Sequence, residues 1–264
     1  MSSNDSVVKW LMNTIDLNSD LGEYDAEEFR LREAELMPLI TSANIACGAH
    51  AGNPTLMRRT ARLAAEHGVA IGAHPGFPDR GDFGRGDRRA SPDEVPSLVL
   101  EQLSALSQVL MEGHLPLRHV KPHGALYHFV SWNPDAAESF VQTVAAFDRR
   151  LLIVAPAGSV LIASAERAGL GVVREAYVDR AYRADGTLVP RSHPDALLTT
   201  DQHVLRQLRE ILDGFVTSVE GYRVLLHADS LCVHADTPRS VELARLIRGE
   251  LESAGYQPAS PTRP

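Results

Sequence analysis

The sequence predicts an α/β barrel. Short β-like runs alternate with longer helical patterns, the alternation repeats about seven times, and residues able to do chemistry recur just after the runs. Strict alternation of strand and helix marks a parallel sheet. An open doubly wound sheet is the second arrangement that fits it.

The predicted strands are residues 13–17, 40–46, 69–73, 118–121, 151–155, 171–175 and 223–226, and a helical pattern follows each. Four helix starts pair a capping residue with proline: Asn53-Pro54, Ser91-Pro92, Asn133-Pro134 and Thr237-Pro238. The side-chain oxygen takes up free backbone N–H groups, and proline suits a first turn that needs no donor. Ser91 with Glu94 reads as a capping box. Gly68, Gly113, Gly169 and Gly255 each follow a helical run and read as stops, since the position after a helix often takes a positive φ.

The length of 264 residues suits one barrel domain, expected over residues 9–256, with disordered ends at 1–8 and 257–264. Apolar residues make up 44% and charged residues 23%, which supplies a core and excludes a disordered chain. A net charge of −8 argues against a nucleic-acid partner. Residues 1–8 lack the apolar run of a secretory signal, and no apolar stretch approaches the length of a membrane span. Cys47 and Cys232 form neither a disulfide framework nor a C-x-x-C pair, so the expected location is the cytoplasm. Cys47 reads as a small residue packed at a strand end. Lys9 and Lys121 are the only lysines among 26 basic residues, which draws attention to a lysine kept inside a tight motif.

In parallel α/β folds, function collects at the carboxyl ends of the strands. There the sequence places Asp16, Asn18, Asp20 and Glu23, then Asn44, Cys47 and His50, then His74-Pro75-Gly76, then Lys121-Pro122-His123-Gly124. Asp179-Arg180 follow the sixth strand, and His227, Asp229, His234 and Asp236 the seventh region. Asp16, Asn18 and Asp20 alternate and would share one strand face. Carboxylates there can bind a metal, orient a histidine or act as a base; a plain turn is the competing reading. His50 and His74, with rim carboxylates, can ligate zinc or a similar ion, although neither H-E-x-x-H nor a cysteine set is present. Residues 75–89 carry Arg80, Arg85, Arg88 and Arg89 among glycines and read either as a lid with anion contacts or as a solvated connector. No Walker A loop and no G-x-S-x-G elbow occurs.

Read together, these motifs resemble the LamB/YcsF family over roughly residues 14–250. The resemblance rests on Ile15-Asp16-Leu17-Asn18 through Gly22-Glu23, Ser42-Ala43-Asn44-Ile45-Ala46-Cys47-Gly48 with His50-Ala51-Gly52, Ile71-Gly72-Ala73-His74-Pro75-Gly76 and Phe83-Gly84-Arg85. It continues through Val120-Lys121-Pro122-His123-Gly124-Ala125-Leu126-Tyr127, Asp179-Arg180-Ala181-Tyr182, Leu188-Val189-Pro190-Arg191 and Cys232-Val233-His234-Ala235-Asp236. It implies a distorted seven-stranded TIM-like barrel of the glycoside hydrolase/deacetylase type. It also implies ATP-dependent opening of 5-oxoproline (pyroglutamate) to L-glutamate with ADP and phosphate, by a protein that works with 5-oxoprolinase subunits B and C. Mg is expected with the ATP. Asn53, Gly86 and Ala235 depart from the family pattern, where aspartate, arginine and glycine are usual.

For that chemistry the candidate cations are Lys121 and Arg180, with Arg85. Asp16, Asp20 and Glu23 are candidate bases or orienters, and His50, His74, His123 and His234 candidate proton carriers; Asp236 joins this catalytic set. Asn18 and Asn44 join Arg85 and Arg180 in binding substrate. If a divalent metal is bound, its expected ligands are Asp16, His50 and His74. The alternatives are a metal-dependent, deacetylase-like amidohydrolase acting without ATP, and a non-catalytic substrate-binding subunit.

Overall fold

The computed structural model describes residues 13–86, 90–191, 193–237 and 239–262. The end predicted at 1–8, Lys9, the loop arginines Arg88 and Arg89, Pro238 of the last predicted helix start, and residues 263–264 lie outside the described residues.

Seven parallel strands close into a barrel: β1 (Asn13–Leu21), β2 (Ser42–Ala46), β3 (Ala70–His74), β4 (His119–Val120), β5 (Leu152–Pro156), β6 (Gly171–Tyr177) and β9 (Ser230–Cys232). β9 pairs with both β6 and β1, which closes the ring. The helices are α1 (Glu27–Leu36), α2 (Pro54–Glu66), α3 (Val95–Glu112), α4 (Gly124–Trp132), α5 (Pro134–Phe147), α6 (Val160–Arg167), α7 (Asp201–Leu212) and α8 (Ser240–Ser253).

The barrel is as expected, but its seventh strand is not the predicted one. Residues 223–226 mostly form β8 (Arg223–Leu225), which pairs antiparallel with β7 (Phe215–Thr217) in a separate hairpin. The ring is closed by the three-residue β9, whose Ser-Leu-Cys sequence has no β-branched run. Gln257 and Pro258, expected in the tail, belong to β10 (Tyr256–Pro258), which pairs with the start of β1.

Local chemistry explains the helix ends. Asn53 accepts from the N–H groups of Thr55 and Leu56, Asn133 from Ala136, and Ser91 with Glu94 forms the capping box. The last helix begins at Ser240 instead of at Thr237-Pro238. Gly113 is an ordinary right-handed stop; the left-handed residue there is His114.

Strand alternation separates two interiors. Leu17, Leu21, Ile45, Ile71, Val120 and Ile153 pack outward in the core that the helices cover. Asp16, Asn18, Asn44, His119, Lys121, Glu175 and Ser230 are buried polar residues that bond to one another across the lumen. Gly72 makes this possible at one level, because a Cβ there would lie 2.0 Å from His119 Nε2.

Candidate active site

The site is the carboxyl-end rim and the lumen beneath it. Lys121, just past β4, is its centre. Its ammonium lies 2.8 Å from Glu175 Oε1, 3.0 Å from Asp20 Oδ1, 3.1 Å from Asn18 Oδ1 and 3.2 Å from Cys232 Sγ. Burial opposes its charge, but Asp20, Cys232 and Glu175 more than reverse that, so Lys121 stays an ammonium well above its ordinary range. Glu175 is held in turn by Tyr127 and Tyr177, each donating at 2.7 Å to Oε2. Asn44 bridges Asn18 and Asp20 at 2.8 Å each and accepts from His119. Burial and the neighbouring Lys121 lower His119 to about 3, so it bonds as a neutral ring.

Beside this cluster stand three histidines. His74 Nδ1 lies 2.8 Å from the Lys121 carbonyl, and His123 Nε2 lies 2.9 Å from the Phe83 carbonyl. Their other nitrogens, His74 Nε2 and His123 Nδ1, face each other at 2.9 Å. His50 stacks on His123, with ring centroids 3.8 Å apart and planes 5° from parallel. Its Nε2 lies 3.3 Å from Glu23 Oε1, and Asp20 Oδ2 lies 3.3 Å from His74 Nε2. Burial and the adjacent rings push His50 down, and burial with His74 lowers His123 to about 3. Burial and the charges of Asp20 and Asp236 push Glu23 well up.

The backbone is shaped around these rings. Glu33 of α1 accepts the Gly22 N–H at 2.7 Å and pairs with Arg59 of α2, which fixes the turn presenting Glu23. A Cβ on Gly76 would lie 2.6 Å from His50 Nδ1, and one on Gly84 2.8 Å from His50 Cβ. Phe83, which supplies the carbonyl for His123, sits at φ 55°, an uncommon conformation for a bulky side chain.

A third element completes the rim. His234 Nδ1 lies 2.9 Å from Asp179 Oδ2, and its ring stacks on Tyr177. Burial raises Asp179, but His234 outweighs it and holds the carboxyl low. At the mouth, Asp236 takes Arg85 at 3.0 Å and Arg191 at 3.9 Å. Lys121, His74, His123, His234, Arg85, Arg180 and Arg191 line one cavity of about 610 Å³.

The structure thus gathers Asn18, Asp20, Glu23, Asn44, His50, His74, Lys121 and His123 into one connected cluster, with His234, Asp236, Arg85 and Arg180 around the cavity. It sets Asp16 apart. That carboxylate takes hydrogen bonds from Thr41, Ser42 and Ser230 deep in the lumen, and its neighbours include the cavity at the opposite end. It does not stand with His50 and His74, so the expected metal set Asp16–His50–His74 is not assembled; Glu23 and His123 are the residues that join those two histidines.

Arg180 is less free than expected, since it donates to the carbonyls of Ala196 and Val189. Arg80 ties down the preceding loop through the carbonyls of Gly48 and Gly52. Asn53 serves the helix cap, and Cys47 is a buried thiol pushed up to about 12 by burial. The sequence reading gave no site role to Glu175, Tyr127, Tyr177, His119 or Arg191, whereas Asp179 stands on the rim where it was expected, paired with His234. The alternation Glu175, Tyr177, Asp179 repeats the pattern of Asp16, Asn18, Asp20 and was the available signal.

No helix among the described residues is long and apolar enough to cross a membrane. The model of the LamB/YcsF family matches residues 15–263. A protein of Symbiobacterium thermophilum, named as the A subunit of 5-oxoprolinase, is 48% identical, over 94% of this chain and 95% of its own. The Pyrococcus furiosus protein of that name is 42% identical, over 92% and 96%. The crystal structure of a lactam utilization protein from Thermus thermophilus superposes with a TM-score of 0.84 at 43% identity, over 93% of this chain and 99% of that one.

Proposed function

We propose that this chain, which belongs to the LamB/YcsF family, opens 5-oxoproline to L-glutamate at the expense of ATP, in the cytoplasm and together with 5-oxoprolinase subunits B and C. The carrying observation is the cavity that combines a fixed ammonium, three arginines and a carboxylate-held histidine at the carboxyl ends of the strands.

A five-membered lactam is a poor electrophile. Transfer of the γ-phosphoryl group of ATP, supplied with Mg, to the lactam oxygen makes the ring carbon attackable by water. The tetrahedral adduct must then expel nitrogen, because expelling phosphate first returns the lactam. Ring opening therefore needs a proton delivered to nitrogen as well as one taken from water. A second water releases phosphate and leaves glutamate.

The residues match these demands. Arg85 and Arg191 stand where planar guanidinium groups can take a carboxylate or a phosphoryl group. Lys121 supplies fixed positive charge against the developing oxyanion. His234, which lines the cavity with its Nδ1 held by Asp179, is the proton carrier. The chain has no Walker A sequence, so the nucleotide enters through this cavity by other contacts or is presented by a partner protein.

The test is glutamate formation from 5-oxoproline and ATP by purified subunits B and C, with and without this chain. Glutamate that requires the chain supports the reading, and its absence with competent partners removes it. Glutamate formed without ATP, and lost when a chelator removes metal, supports the second reading, a metal-dependent amidohydrolase, which the histidine cluster favours. Within the first reading, His234→Ala should lower kcat by about 10²–10⁴-fold, measured at saturating 5-oxoproline.

A further inference from the structure

The geometry points to a divalent transition-metal site built from Glu23, His50, His74 and His123. It does not depend on which reaction the cavity carries out. Each residue offers one ligand atom, and the four atoms lie within 4.8 Å of one another. Glu23 Oε1 is 3.3 Å from His50 Nε2 and 3.6 Å from His123 Nδ1, and His123 Nδ1 is 2.9 Å from His74 Nε2. A tetrahedral shell with bonds of about 2.0–2.1 Å sets its ligand atoms about 3.3 Å apart. Three of the six pairs are already near that spacing, and the other three lie within 4.8 Å.

Hydrogen bonding fixes the direction of two lone pairs. A backbone carbonyl accepts and cannot donate, so His74 Nδ1 and His123 Nε2 carry the hydrogens they give to Lys121 and Phe83. In neutral rings this leaves His74 Nε2 and His123 Nδ1 as facing lone pairs at 2.9 Å. Two such lone pairs repel unless a cation sits with them. Backbone carbonyls holding the far nitrogen are the usual outer support of metal-binding histidines. Here that support is built with a bulky residue at φ 55° and a following glycine at φ +64°, the kind of strain that persists where the surrounding structure imposes it. Burial adds to the case. The four side chains are between 0% and 6% exposed, so an ion held among them would be shielded from water.

The donor set names the ion class. Three imidazoles and one carboxylate suit zinc, cobalt, iron or nickel. Magnesium prefers oxygen and keeps its waters, so the magnesium that accompanies ATP is not the occupant. The rival is a proton shared between His74 and His123, and it predicts no metal uptake.

The experiment uses the full chain, equilibrated with zinc or with cobalt(II), dialysed, and measured for metal by mass spectrometry, with calorimetric titration and the visible spectrum of the cobalt form. About one ion per chain and the intense bands of a tetrahedral cobalt centre are expected. Glu23→Gln keeps the side chain's shape and should weaken zinc binding by about 10–100-fold. His123→Ala should weaken it at least as much, and His67→Ala, an exposed histidine at the end of α2, should leave it unchanged. Thermal melting of each metal-free variant separates lost ligands from lost fold, and Glu23→Gln carries the test if His123→Ala does not fold. Metal below about a tenth of an ion per chain, or binding that survives both variants, overturns the site. None of these readouts uses glutamate formation, so the site and the ring-opening reading can fail separately.

Discussion

Asp16 and Asp20 lie four residues apart on one face of β1, and their carboxyl groups are driven in opposite directions. Burial raises Asp16 to about 6, and the hydroxyls of Ser230, Thr41 and Ser42 recover only part of that. Burial pushes Asp20 up as well, but His74 and Lys121 outweigh it and hold the carboxyl well below its ordinary range. The difference is one of partners. A hydroxyl stabilises a carboxylate modestly, and a buried cation stabilises it strongly. The floor of the lumen is therefore a plug whose carboxyl is held by hydroxyls alone, and the rim is an ionic lattice ready to meet a charged ligand.

Removing the rim's cation should have the largest effect. Lys121→Met leaves Asp20 and Glu175 buried without their counter-charge. Stability should fall by about 3–5 kcal/mol, read by urea unfolding. Glutamate formation with the partner subunits should fall by about 10²–10³-fold.

Next comes the direct pair. Asp20→Asn should lower glutamate formation by at least about 10²-fold, while Asp16→Asn should leave it within about twofold, because that side chain touches only structural hydroxyls. Equal losses in the two variants would break the contrast between rim and floor.

The smallest effect is in the pH dependence of stability. In the folded chain Asp16 titrates near 6, and in the unfolded chain near 3.9. Between those values the folded state holds a proton that the unfolded state releases. Acidification from pH 6 to pH 4 thus stabilises the fold through Asp16, by roughly 3 kcal/mol, and the gain is lost as pH rises through 6. Asp20 has the opposite sign: its contribution is present above about pH 4 and is lost below it. Unfolding free energies across pH 4–7 should show the Asp16 contribution in the native chain and its disappearance in Asp16→Asn.

Much of this was legible beforehand. Six barrel strands, three proline-marked caps and the rim histidines followed from alternation and capping chemistry. β9 did not, because Ser230–Cys232 is three residues long and is stabilised by pairing on both sides, a property of ring closure that the segment itself does not carry. Arg223–Leu225 has the more strand-like sequence and was drawn into a hairpin. Asp16 was grouped with His50 and His74 because strand alternation gives the face of a residue and not its depth along the lumen. Glu23 and His123 join the histidines through the Gly22 turn, the Phe83 carbonyl and the close approach allowed by Gly76, contacts distant in sequence.

Lys121 has one more consequence. An amine becomes a nucleophile only when it gives up its proton, and a cavity that activates a lactam through phosphorylation would produce acylating species beside it. Held by Asp20, Glu175 and Asn18 Oδ1, Lys121 has no free lone pair, and the other cations among the described residues lining the cavity are guanidinium groups, which stay protonated throughout the working pH range. The cations of the cavity thus offer no nucleophile to an acylating species, so its positive charge survives repeated turnover.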